Sequence, residues 1–77
     1  MMAQRTTALR RIACNEILTL EGKGLTRHVV EILNGNVLKV YPLVQEMPST
    51  EWWPGRITLK RDEAGNLIAC YRGKAIT

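Results

Sequence analysis

The chain has 77 residues, eleven Lys plus Arg against seven Asp plus Glu for a formal net charge of +4, two cysteines, one histidine and no phenylalanine. That length supports one domain and one small core, because a chain this short buries only about 60% of its unfolded surface, so residues 1–77 are read as a single domain. The basic excess is mild and stands singly or in pairs, Arg10-Arg11 and Lys60-Arg61, which reads as a solvated surface and excludes a polybasic arm.

The first residues, Met1–Thr7, are polar and run directly into Ala8-Leu9-Arg10-Arg11. They offer no apolar stretch long enough for a signal peptide or a membrane span. The segment is expected to be flexible and the chain to stay in the cytoplasm, with Cys14 and Cys70 as free thiols in a reducing compartment. Ala8–Leu20 fits two patterns. As a strand it places Ile12, Cys14, Leu18 and Leu20 on one face, interrupted by Glu16; as a helix it makes a stripe of Leu9, Ile12, Ala13, Ile17 and Leu20 with Thr7 as N-cap. The Glu21-Gly22-Lys23-Gly24 group looks like a hairpin connection and favours the strand, with a bulge near Asn15-Glu16 able to turn Ile17 or Leu18 inward.

From Leu25 onwards apolar and polar residues alternate in short stretches, the period-two pattern of half-buried strands. Strands are expected at Arg27–Leu33, Val37–Val44, Arg56–Arg61 and Leu67–Arg72. Asn34-Gly35 would ordinarily make a two-residue type I′ turn, but that register mixes apolar with charged residues on both faces. A three-residue loop instead puts Val30, Ile32, Leu38 and Val40 in the core. It leaves Val29, Leu33, Val37, Tyr41 and Leu43 on the opposite face with Glu31 and Lys39. A three-residue loop at Glu63-Ala64-Gly65 likewise aligns Ile57 and Leu59 with Leu67, Ala69 and Tyr71. Between the hairpins, Gln45–Gly55 holds Pro48 and Pro54 around Trp52-Trp53 and reads as a long irregular connection. The expected fold is all-β: a small antiparallel five-stranded meander forming a curved sheet or open barrel.

The run Ile17-Leu18-Thr19-Leu20-Glu21-Gly22, then Val29-Val30-Glu31-Ile32-Leu33-Asn34-Gly35-Asn36-Val37, Tyr41-Pro42 and Pro54-Gly55, resembles the small β-sandwich, or composite domain, that precedes the catalytic barrel of amidohydrolase-superfamily enzymes. About half of the chain carries the pattern. The resemblance implies strand pairing. It carries over no catalytic or metal-binding residue, since that family's metal site begins with a His-x-His segment in the barrel and the one histidine here, His28, sits in a hairpin.

No constellation for catalysis is present. Cys14, Cys70 and His28 lack the spacing of a metal site or of a nucleophile with its base, and Gly22-Lys23-Gly24 leads into a strand and so cannot cradle phosphate at a helix terminus. No enzyme activity, metal or cofactor is therefore expected. Two weaker signals remain. Trp52-Trp53 are candidate interface anchors, and with Tyr41, Val29, Val37 and Leu43 they compose the surface expected of a non-catalytic protein-interaction or assembly module, self-associating as a dimer or held by a protein partner. The alternative is a small nucleic-acid-binding β-domain, OB-like or SH3-like, contacting phosphate through Arg56, Lys60 and Arg72.

Overall fold

Residue Asn15 decides the shape of the first strand. In the computed structural model, which describes residues 9–77, Leu9–Leu18 is extended and forms β1. Its pairing with its neighbour slips between Cys14 and Glu16, so the inward set runs Ile12, Cys14, then Ile17, all 0% exposed. The helical alternative is excluded, and Ile17 turns inward as expected, but the surplus residue of the slip lies on the neighbouring strand, where Pro54-Gly55 stands against Asn15 alone. The segment expected to be flexible, Met1–Thr7, lies outside the described residues.

Five further strands follow: β2 (Gly24–Leu33), β3 (Asn36–Pro42), β4 (Glu51–Arg61), β5 (Leu67–Tyr71) and β6 (Lys74–Ala75). They form one sheet in the order β3-β2-β1-β4-β5-β6. Two expectations are corrected here. The sheet has six strands where five were expected, and it is mixed, because β4 pairs with β1 in parallel while every other pairing is antiparallel. The chain builds β1-β2-β3 as a meander, crosses back, and starts again on the far side of β1. The sheet curls until β3 approaches β5, giving an open half-barrel. Its concave side holds the core: Ile12, Cys14, Ile17, Val30, Ile32, Ile57, Leu59, Ala69 and Ile76, flanked by Leu25, Val37, Val40, Trp53, Leu67 and Tyr71.

Turn chemistry sets the registers. Thr19 N donates to Lys23 O and Gly22 N to Thr19 O, closing the β1–β2 loop with Gly22 at φ 86°. The β4–β5 loop is built the same way on Asp62, Gly65 and Asn66, so the expected three-residue loop forms and Ile57, Leu59, Leu67, Ala69 and Tyr71 share the core face. Arg72-Gly73, at φ 54° and 83°, makes the tight turn into β6.

At Asn34-Gly35 the structure differs from the expected odd-length loop. Leu33 pairs with Asn36, leaving two turn residues at φ 53° and 83°, as a type I′ turn requires. The facing conflict is resolved one step later: Ile32 pairs with Val37 but Glu31 with Lys39, so Leu38 is an extra, bulged residue. Val37 therefore points into the core and Leu38 out of it, 54% exposed, the reverse of the expected assignment. Val30, Ile32 and Val40 are inward as expected.

Candidate interaction surface

The convex side of the sheet is the broad face that the core does not use, and its centre is covered by the chain itself. Ala13 and Val29 are neighbours in register on that side. They are 2% and 0% exposed although neither belongs to the core cluster. The covering element is the crossover from Leu43 to Thr50, a strap forced across the face because β4 must reach the far side of β1. Met47 and Pro48 form its ridge and line a groove on each side.

The first groove runs between the strap and the start of β4, bounded by Ala13, Leu43, Glu46, Thr50 and Trp52. Trp52 pairs in register with Ala13, whose methyl leaves the indole without a side wall, and it stays 50% exposed. An exposed tryptophan beside Leu43, Met47 and Pro48 is an apolar, rigid feature of the kind that anchors interfaces.

The second groove is lined by the charged side chains of Arg11, Glu31 and Lys39 together with Tyr41, Met47 and Pro48. Its floor is Glu31, 6% exposed, which accepts hydrogen bonds from the Tyr41 hydroxyl at 2.5 Å and from Arg11 Nε at 3.1 Å. The Tyr41 hydrogen bond chiefly, helped by Arg11, holds the Glu31 carboxyl below its ordinary range against the opposing effect of burial. Burial first, and then the Glu31 carboxylate, push the Tyr41 phenol upward. Lys39, the cross-strand neighbour of Glu31, lines the same groove. Among the described residues it makes no ion pair.

Trp53 does something different from Trp52. Successive residues of a strand face opposite ways, so Trp53 turns inward and closes one end of the half-barrel. Its Nε1 donates to Glu51 Oε1 at 3.0 Å, Glu51 receives both Nε and Nη2 of Arg10 at 3.0 and 2.8 Å, and Arg10 lies 5.4 Å over the indole. Tyr71 meets Trp53 edge-on at 4.9 Å and donates its hydroxyl to Pro54 O at 2.5 Å. The Arg10 hydrogen bond is the main reason the Glu51 carboxyl sits below its ordinary range. This network is a structural cap that the sequence did not reveal, because Arg10 and Glu51 meet only through the parallel β1–β4 pairing.

The expected interface residues thus separate. Tyr41, Leu43 and Trp52 border the convex grooves, whereas Val29 lies buried beneath the strap and Val37 and Trp53 pack against the core. The three basic residues are also dispersed. Arg56 is engaged by Glu16 at 2.7 Å, Arg72 sits in the β5–β6 turn 5.2 Å over the Tyr71 ring, and Lys60 stands exposed opposite Ile68. None of them lines either convex groove. His28, half-buried, places Nδ1 2.9 Å from Thr26 O. Among the described residues no group of three or more His, Cys, Asp or Glu is placed to hold a metal, and no helix is long and apolar enough to cross a membrane.

Comparison of the chain with protein-family models, with curated proteins and with solved structures gives no match.

Proposed function

We propose that this chain is a non-catalytic protein-interaction module that presents the convex face of its sheet, with Trp52 as the anchor. The observation that carries the reading is Trp52 itself: half-exposed, next to Ala13, at the edge of a groove walled by Leu43, Met47 and Pro48. A large aromatic left in water beside apolar surface gains most when a partner covers it, and such residues dominate interface energetics. The polar groups nearby are the other half of the reading. Glu31, Tyr41 and Arg11 hydrogen-bond one another, which fixes the wall of the groove beside the ridge.

The strand edges favour a face over an edge as the contact. The outer edge of β3 carries the Leu38 bulge, Lys39 and Pro42, and β6 at the other end is only two residues long. Bulges, lysine, proline and short strands are the usual means of blocking edge-to-edge pairing.

The test uses two baits, the wild-type chain and Trp52→Glu, exposed to extract of cells that make the protein. A partner retained by the wild type alone, identified by mass and rebuilt from purified components with Trp52-dependent affinity, supports the reading. Equal retention by both baits, with the variant folded by circular dichroism, refutes it.

A further inference from the structure

The two convex grooves are opposite in charge and share a single ridge. On the Trp52 side the free charge is Glu46, since Glu51 is committed to Arg10 and Trp53. On the Tyr41 side two cations, Arg11 and Lys39, share the single carboxylate of Glu31, which Arg11 bonds and Lys39 faces from the next strand, so that groove keeps one positive charge in excess. Glu46 and Lys39 are both exposed, and among the described residues neither has an ion-pair partner. Met47 and Pro48 stand between them and belong to both grooves.

A surface with an acidic, aromatic groove on one side of a ridge and a basic groove on the other is complementary to itself in charge under a two-fold rotation about that ridge. The geometry points to a second copy of this chain as the occupant of the convex face. Met47 and Pro48 meet their own counterparts at the axis, Glu46 of each copy meets Lys39 of the other, and Trp52 of each enters the other's Tyr41 groove. There the indole has Lys39 beside it, a cation that favours an aromatic face. This inference rests on the interaction-module reading and adds to it the identity of the partner.

Size and charge both bear on it. A stable interface needs about 800 Å² from each partner, a modest part of the 5288 Å² that this chain exposes. The net charge of +4 opposes self-association at long range, so the pairing depends on local complementarity, and like charges brought opposite each other are strongly disfavoured.

That dependence supplies the experiment. Sedimentation velocity on the purified chain is run as a concentration series up to about 1 mM, the range in which weak association is still measurable. The wild type is expected to shift from monomer to dimer. The Glu46→Lys variant alone brings two ammonium groups together at both ends of the two-fold contact, and the Lys39→Glu variant alone brings two carboxylates together there. Each should raise the dimer dissociation constant by at least about tenfold. Mixed in equal amounts, the two weakened variants are expected to form a heterodimer, because each then offers the charge that the other needs. Both sites are exposed, and reassociation on mixing itself shows that the folds are intact. A wild type that stays monomeric throughout, single variants that dimerise as the wild type does, or folded variants that fail to associate when mixed would each overturn the inference. Failure here removes the second copy as partner and leaves the module reading to the Trp52-dependent capture, which does not require self-association.

Discussion

Replacing Glu31 with glutamine tests whether the Tyr41 groove stabilises the fold through its charge. Glutamine keeps the volume and still offers an oxygen to the Tyr41 hydroxyl, but at this 6%-exposed site the acceptor of both hydrogen bonds loses its charge. Bonds to a charged group contribute about 1.5–3 kcal/mol against about 0.5–1.5 for neutral ones; the central values differ by about 1 kcal/mol per bond, so two such bonds lose roughly 2 kcal/mol. Water reaches the Arg11 side chain, 35% exposed, and screening there brings the expected loss to about 1.5 kcal/mol. For a domain of this size that lowers the melting temperature by roughly 6–12 °C.

The pH dependence has a definite sign. Because Glu31 is held below its ordinary value when folded, its contribution is complete above the unfolded value of about 4.3. It is lost as the pH falls through the folded value, since in that window the unfolded chain takes up a proton that the folded chain refuses. Melts of wild type and Glu31→Gln followed by circular dichroism should therefore lie furthest apart at neutral pH and converge in acid. A double-mutant cycle with Tyr41→Phe should show a coupling of about 1 kcal/mol. Equal melting temperatures at neutral pH, or a gap that persists unchanged into acid, would refute the assignment of charge-assisted bonds to this carboxylate.

Two further expectations concern the core. Deleting Leu38 removes the surplus residue and lets a regular ladder run on from Asn36, with Lys39, Val40 and Tyr41 still opposite Glu31, Val30 and Val29. In urea titration the deletion should therefore cost less than about 1 kcal/mol, and Leu38→Ala at this exposed site less than about 0.5 kcal/mol; a loss of about 2 kcal/mol on deletion, a buried valine's worth, would show that Leu38 is not the surplus residue. The Cys14 thiol lies at 0% exposure with its pKa pushed upward, chiefly by burial, so alkylation at mild alkaline pH should modify the partly exposed Cys70 first and reach Cys14 only on unfolding. Peptide mass mapping reads the order, and early labelling of Cys14 would contradict its placement.

The features legible in the sequence are those fixed by neighbouring residues. Asp62 to Asn66 dictates its own loop, and the facing of Ile57, Leu59, Leu67, Ala69 and Tyr71 follows. At the first hairpin the sequence shows that one residue must be surplus but not where. A longer loop and a bulge in β3 both restore the apolar face, and the Asn34-Gly35 pair settles it by taking the type I′ turn it favours, pushing the surplus to Leu38. The strand Glu51–Gly55 was hidden by Pro54, which is tolerated because pairing with β5 begins only at Ile57 and the register beside Pro54-Gly55 is irregular. Missing that strand meant missing its consequence, that Trp52 and Trp53 face opposite ways. Lys74-Ala75 is too short to carry any alternation.

The blurred pattern of β1 and the existence of the strap have one cause. A strand with solvent on its convex side needs apolar residues on one face only, yet Ile12, Ala13 and Cys14 are apolar in succession and all buried, as expected for a strand covered on both sides. That requirement can be met only if something crosses the convex face. The parallel return of β4 beside β1 provides it, because the chain leaving β3 has no route to the far side of β1 except over one face of the sheet or around an end. Crossing the convex face buries Ala13 and Val29. It also divides that face into two grooves, with Glu46 on one side and Lys39 on the other. The same connection that completes the fold thereby creates the surface on which the proposed self-association depends. Shortening the strap between Leu43 and Thr50 should accordingly impair stability and association together, whereas Trp52→Glu should impair association alone.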